Sequence, residues 1–276
     1  MPSLIISNST NTLRAEIVPA HGGMIAQIDL EGKEILHIDR KQLETAPMAA
    51  GGMPILFPFS SKTREDTYFL NGKQYHMPMH GLVKNDVFAV AEVRKDRVRL
   101  WNENSPSWKE QYYPFDFRLE AEYSVDGNCL ETLFRISNNS QEAMPHYLGW
   151  HPFFKAKDKK NTSLEQDMQV HYDYGRHEDL PGIELKDLSL YWDDVFHTPL
   201  QRGFTFTNRG DGYRVACKTS PEFQALVVCS WVEESMCIEP WCGLPDSINT
   251  GRFLQWIEPG QTREYRVQLI FEKLEP

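Results

Sequence analysis

Apolar and polar residues alternate with a period of two from one end of this chain to the other. Leu13, Ala15 and Ile17 alternate with Arg14 and Glu16. Phe117, Leu119, Ala121, Tyr123 and Val125 alternate with Arg118, Glu120, Glu122 and Ser124. Leu130, Thr132, Phe134 and Ile136 follow after Asp126-Gly127-Asn128, and Tyr265, Val267, Leu269 and Phe271 lie near the C-terminus. Successive side chains of a strand point to opposite faces, so each run reads as a strand with one buried face. Turn signals separate the runs at Glu31-Gly32, Asn71-Gly72, Asp126-Gly127 and Asn138-Asn139. Asn71-Gly72 between Thr67–Leu70 and Lys73–His76 is a hairpin signal, because a type I′ turn needs positive φ at both central residues.

Helix signals are few. Ser105 can cap a short helix over Ser105–Tyr113, with Pro106 at its first position. Lys155–Thr162 is polar and reads as a loop. There is no repeat, low-complexity tract or linker. A chain of 276 residues can bury roughly three quarters of its extended surface. These features predict an all-β antiparallel β-sandwich with few short helices, formed as a single domain over residues 1–276. Strand order does not follow from the pattern.

Charge and cysteine usage narrow the setting. The net charge is −10 and no Lys/Arg cluster occurs, so neither nucleic acid nor an anionic membrane is an expected partner. No apolar run approaches the ~20 residues of a membrane span. The start, Met1–Ile6, lacks a basic segment and a long apolar core, which argues against a secretory signal. Five irregularly spaced cysteines read as free thiols in a reducing compartment, and a cytoplasmic location is expected.

Chemistry concentrates in two segments, Gly149–Phe154 and Cys237–Asn249. The first holds His151 between Trp150 and Pro152; the second holds Glu239 between Ile238 and Pro240, next to Trp241. An imidazole and a carboxylate make a candidate acid/base pair. The aromatic residues offer faces for a sugar ring, with Trp150 and Trp241 as the expected stacking surface. His80, in Met79-His80-Gly81, is a further candidate at the end of a strand-like run, where loops carry function. Asp193 and Asp194 form a carboxylate pair, and Lys62, Arg64 and Lys84 are candidate anion contacts. His76 and His80 are four apart, but Pro78 between them precludes the helix that would bring them together on a metal. No phosphate loop, nucleotide fingerprint or nucleophile elbow occurs.

In order and spacing, these segments resemble the aldose 1-epimerase (mutarotase) family. The resemblance rests on His21-Gly22-Gly23, Pro54–Pro58, Met79-His80-Gly81, Trp150–Phe154, Ile238–Trp241 with Pro245–Asn249, and Glu258-Pro259-Gly260. It implies the galactose-mutarotase-like sandwich, a site in a cleft on one sheet, a small-molecule sugar as partner, and no cofactor or metal. By position it implies Glu239 as general base, His151 as general acid and His80 as second active-site histidine. Asp193, or equally Asp194, would bind the sugar. Lys62, with Arg64 two residues on, stands where the family usually carries Arg, and Lys cannot reproduce a bidentate Arg contact. A monomer or homodimer is compatible with these features.

The residue types suit ring opening and closure of a hemiacetal. The C1 hydroxyl loses a proton while the ring oxygen gains one; the C1–C2 bond rotates; the ring recloses with proton flow reversed. A carboxylate ionised at neutral pH is a ready base, whereas a histidine needs an anionic or hydrogen-bonded setting to stay protonated. Two other readings compete. Glu239 with Asp193 could serve an inverting glycoside hydrolase, or a lyase. A non-catalytic carbohydrate-binding or regulatory protein could use the same aromatic surface.

Overall fold

The computed structural model describes residues 2–45, 50–166, 168, 170–182, 185, 187–197 and 203–275. Two large antiparallel sheets carry the architecture. The back sheet runs in the order Thr162–Glu165, Gly203–Asn208, Tyr213–Thr219, Thr262–Lys273, Cys129–Asn138, Phe117–Asp126, Arg97–Glu103 and Ala89–Val93. The front sheet runs Glu178–Pro181, Val170–Asp173, Asp193–His197, Ala225–Cys229, Ser235–Trp241, Gly149–Trp150 and Ile55–Leu56; Phe153–Lys155 also pairs with Ser235–Trp241. A four-stranded N-terminal sheet, Leu4–Ser7 to Lys33–Glu34, completes the fold.

The alternation read from sequence becomes the interface between these layers. Strand Phe117–Asp126 is buried at every second residue, and Thr262–Lys273 buries Tyr265, Val267, Leu269 and Phe271. These side chains share one core cluster with Ile55, Phe57, Trp150, Phe196, Leu226, Val228, Met236 and Ile238 of the front sheet. Each large apolar side chain buried there contributes about 1.5–3 kcal/mol relative to exposure. The Asn71-Gly72 hairpin forms as expected, with φ of 50° and 77° at its two turn residues. The Ser105-capped helix spans Pro106–Gln111, and the cap oxygen accepts from the Trp108 amide. Lys155–Thr162 is less purely loop than its polarity suggests: Lys155 closes one strand, Lys159–Asn161 forms a 3-10 turn, and Thr162 opens the next strand. Among the described residues, no helix is long and apolar enough to cross a membrane.

One polar residue sits inside this core. His146 is fully buried; its Nε2 lies 2.6 Å from the Tyr265 hydroxyl, and its Nδ1 meets no hydrogen-bond partner among the described residues. Burial, reinforced by the charge of Arg263, lowers its pKa from 6.5 to about 3. Between those values the unfolded chain binds a proton that the folded chain excludes. Stability therefore falls as pH falls through this window, by about 1.4 kcal/mol per pH unit. We expect the stability difference between wild type and His146→Gln to move by about 2 kcal/mol in the variant's favour from pH 7 to pH 5. Urea unfolding at the two pH values measures it; a difference independent of pH would show that His146 is not held neutral.

Candidate active site

Strand Ser235–Trp241 builds the floor of a cleft on the outer face of the front sheet. Met236 and Ile238 enter the core, so Cys237, Glu239 and Trp241 must face the other way. The neighbouring strand Ala225–Cys229 sets Val227 opposite Glu239 and Cys229 opposite Cys237. Loops cover this outer face, and Glu239 is 1% exposed. Its Oε2 accepts from the Trp241 indole N–H at 3.1 Å, and its Oε1 accepts from the Cys229 thiol at 3.4 Å. Burial raises the Glu239 pKa well above the ordinary carboxyl value, and Cys229 and Asp193 add to the rise. The expectation of a ready-ionised carboxylate is thus corrected: desolvation outweighs the hydrogen bond from Trp241.

His151 reaches the same floor from the adjacent segment. Its Nε2 lies 3.2 Å from Glu239 Oε1, and its ring stacks on Phe153 at 4.4 Å. Burial lowers its pKa well below 6.5, and His80 lowers it further. Both groups are therefore biased towards their neutral forms. Gly149 has a steric role here: a Cβ on it would come within 2.8 Å of Trp241 Cδ1 and 2.6 Å of Ser60 Cβ. Its bare backbone lets Trp241 lie across the strand.

Trp150 does not join the cleft. Alternation along Gly149–His151 turns its indole inward, where it is fully buried, packs edge-on against Phe134 and donates to the Met53 carbonyl at 3.2 Å. It is a core residue, and its expected stacking role does not hold. Trp241 does line the cleft, with Trp231, 51% exposed, at its rim.

His80 takes a left-handed backbone with φ of 64°. Its Nδ1 accepts from the Ser61 amide at 3.1 Å, which leaves the proton on Nε2. The ring stands edge-on to those of His151 and Trp241. Burial lowers its pKa to about 3, with Lys84 contributing. His80 is thus a fixed neutral N–H donor. Lys84 donates to the carbonyls of Met79 and Gly81, on either side of His80, and burial lowers its own pKa to about 8. Its ammonium holds the histidine loop, which a candidate anion contact need not do.

The two aspartates separate by strand parity. Asp193 lines the cleft with Val195, whereas Asp194 points away and meets His171 Nε2 at 2.7 Å. Burial and then Asp194 raise the Asp193 pKa, against an opposing pull from Lys62. Lys62 lines the cleft and sits 5.3 Å from the centre of the Tyr174 ring. Arg64 does not line it: its side chain is exposed, and its backbone N–H donates to Asp246 at 3.0 Å. The cleft encloses about 580 Å³, within the usual range for small-molecule sites.

Sequence reading passed over Tyr174, Trp231 and the thiols of Cys229 and Cys237. Nothing local marks them, because their partners lie on other strands. No metal-ligand spacing is legible in the sequence, yet ligand atoms of His151, Cys237 and Glu239 lie within 4.8 Å of one another in the fold. Cys237 and Glu239 sit two apart on one face of strand Ser235–Trp241, and His151 reaches them from the segment that follows Gly149–Trp150.

Comparison with known proteins places this geometry in context. The family model for aldose 1-epimerase matches residues 4–269, and the chain belongs to that family. The plasmid-encoded protein LacX of Lactococcus lactis subsp. lactis is 24% identical over 238 residues, covering 74% of this chain and 78% of LacX. The Slr1438 protein of Synechocystis sp. PCC 6803 has the same fold, with a TM-score of 0.91 at 24% identity over 99% of this chain and 96% of that one. A galactose mutarotase-like protein from Lactobacillus casei superposes with a TM-score of 0.84 at 19% identity, over 98% of this chain and 100% of that one.

The placements of Trp150 and Arg64 carry a direct test. Trp150→Ala should cost about 3–5 kcal/mol of stability, as for any large aromatic side chain cut from a core. Arg64→Ala should stay within about 0.5 kcal/mol, because its buried contact is made by the backbone. Denaturant unfolding of both variants measures this; a small loss for Trp150→Ala would return that indole to the cleft.

Proposed function

We propose, with membership of the aldose 1-epimerase family as the premise, that this protein interconverts the α and β anomers of a sugar by acid/base opening and closing of its ring. The observation that carries the reading is the approach of His151 Nε2 to Glu239 Oε1, 3.2 Å apart on the floor of an aromatic cleft. The reaction needs one group to accept the C1 hydroxyl proton and one to protonate the ring oxygen. A Glu/His pair that carries a single proton between them is sufficient.

Where that proton rests matters less than the fact that there is one. In the ion-pair form Glu239 is the base and His151 the acid. In the neutral form, which burial favours, the roles are exchanged. Ring closure on the other face of the aldehyde returns each proton, so the pair ends as it began. Each positioned group supplies about 10²–10⁴-fold over solvent. His80, with its proton fixed on Nε2, donates to a sugar oxygen without entering the proton exchange. Asp193 and Lys62 offer hydroxyl contacts across the cleft, and Trp241 with Tyr174 offers apolar faces for the ring. Of the three cations first considered for an anionic substituent, Lys84 is engaged with backbone carbonyls and Arg64 lies outside the cleft. This favours a sugar recognised through its hydroxyl groups.

Anomer exchange followed by NMR over a panel of free and 6-phosphorylated aldoses tests the activity. Glu239→Gln keeps the shape and removes the proton transfer, and we expect it to lower kcat by about 10²–10⁴-fold. His151→Ala should act mainly on kcat, and His80→Ala mainly on KM. No acceleration by wild type over buffer for any sugar would leave a binding protein on this fold.

The rate should be bell-shaped in pH. At low pH both members of the pair are protonated and no base remains; at high pH both are deprotonated and no acid remains. The two limbs report values belonging to the pair as a unit. A rate that rises monotonically with pH would remove the shared-proton scheme.

A further inference from the structure

We propose that the cleft floor is a binding site for a soft divalent cation such as Zn²⁺, with Cys229, Cys237, His151 and Glu239 as its four ligands. Cys229 and Cys237 face each other in register on adjacent strands. Cys229 Sγ lies 3.4 Å from Glu239 Oε1, and His151 Nε2 lies 3.2 Å from the same oxygen. The Cys237, His151 and Glu239 donor atoms all fall within 4.8 Å of one another. A tetrahedral ion with bonds of about 2.0–2.1 Å to nitrogen or oxygen and about 2.3 Å to sulfur requires ligand-to-ligand separations of roughly 3.3–3.8 Å. The two separations to Glu239 Oε1, 3.2 and 3.4 Å, are close to these values, and Cys229, which lies outside the converging group of three, joins it by rotation of its side chain.

The donor set is chemically selective. Two thiolates and an imidazole favour zinc and its congeners over magnesium or calcium, which take oxygen ligands. All four side chains are buried, so they are already stripped of most of the water an ion would have to displace. Cys229, His151 and Glu239 line the open cleft, which provides an entry path. Lys159 lies close enough to both thiols to interact with their charge, while its ammonium is fixed on the carbonyls of Ser230 and Val232. It offsets part of the negative charge that two thiolates and a carboxylate bring to one ion. The Cys229 thiol donates to Glu239, whereas the acid/base reaction assigns nothing to the Cys237 thiol.

Such an ion would occupy both groups of the Glu239/His151 pair and act as an inhibitor, a consequence that rests on the function proposed above. Binding itself does not. The test uses reduced, metal-stripped full-length protein titrated with Co²⁺ and then Zn²⁺. We expect one Co²⁺ per chain, a thiolate-to-cobalt charge-transfer band with the visible spectrum of a tetrahedral ion, and displacement by Zn²⁺. Cys229→Ser and Cys237→Ser should each weaken Zn²⁺ binding by more than the ~10–100-fold that loss of a supporting group costs. Thermal melts of the variants control for folding. Absence of the charge-transfer band in wild type, or a band that persists in the double serine variant, would overturn the proposal. A wild type that binds Zn²⁺ but shows no anomer exchange when stripped would leave the metal site standing and remove the epimerase reading.

Discussion

The position of Glu239 depends on the parity of one strand. Ser235–Trp241 is buried along its whole length, but its two faces do different things. Met236 and Ile238 lock into the core between the sheets, and that packing fixes the outward direction of Cys237, Glu239 and Trp241. A one-residue slip would drive the carboxyl into the core and set Ile238 in the cleft. The inward face thus secures the geometry of the outward one, and the register with Ala225–Cys229 carries the same constraint to Val227 and Cys229.

That rigidity has an electrostatic consequence. A carboxyl at 1% exposure, with no Arg or Lys among the described residues hydrogen-bonded to it, is expensive to ionise. Its partners are an indole N–H, a thiol and a nearby imidazole, which are weak substitutes for water. The imidazole is displaced in the opposite direction by the same desolvation. Two groups whose ordinary pKa values differ by about two units are thereby brought towards a shared affinity for one proton. Proton transfer in both directions within one turnover is easiest under that condition. The cost in stability is borne by the core beneath, not by compensating charges in the cleft.

Sequence carried much of this, and its failures have physical reasons. Alternation identified the strands because each has one buried and one outer face, and Asn71-Gly72 and Ser105-Pro106 marked a turn and a helix start through local backbone requirements. The Trp-His-Pro and Glu-Pro-Trp segments pointed to Glu239 and His151. Trp150 was misread because an aromatic beside a functional residue signals nothing about which face it takes; Trp150 closes its strand facing the core, and His151, the next residue, turns to the cleft. The same parity separates Asp193 from Asp194, but it can be applied only once Phe196 is known to face the core. Arg64 failed differently: it is tied to Asp246 through its backbone amide, and the residue is exposed and not among those lining the cleft. Cys229, Tyr174 and Trp231 were illegible because their roles exist only across strands.

The cleft floor and its cover are held by different means. The floor is strand, with directions set by core packing. The cover is loop, and polar contacts fix it: Lys84 on the Met79 and Gly81 carbonyls, Ser61 N–H on His80 Nδ1, Asp246 on the Arg64 amide. Glu239 and His151, the groups proposed to exchange protons, lie on the floor. Lys62 and His80, proposed to contact the rest of a sugar, lie on loops whose sequence can change without disturbing the sandwich. The substitution of Lys62 for the Arg usual in the family falls in this second class. Under the proposed function it would change what the cleft recognises while leaving the distance between His151 and Glu239 to the sheet beneath, so recognition could diverge in this fold without rebuilding the proposed acid/base pair.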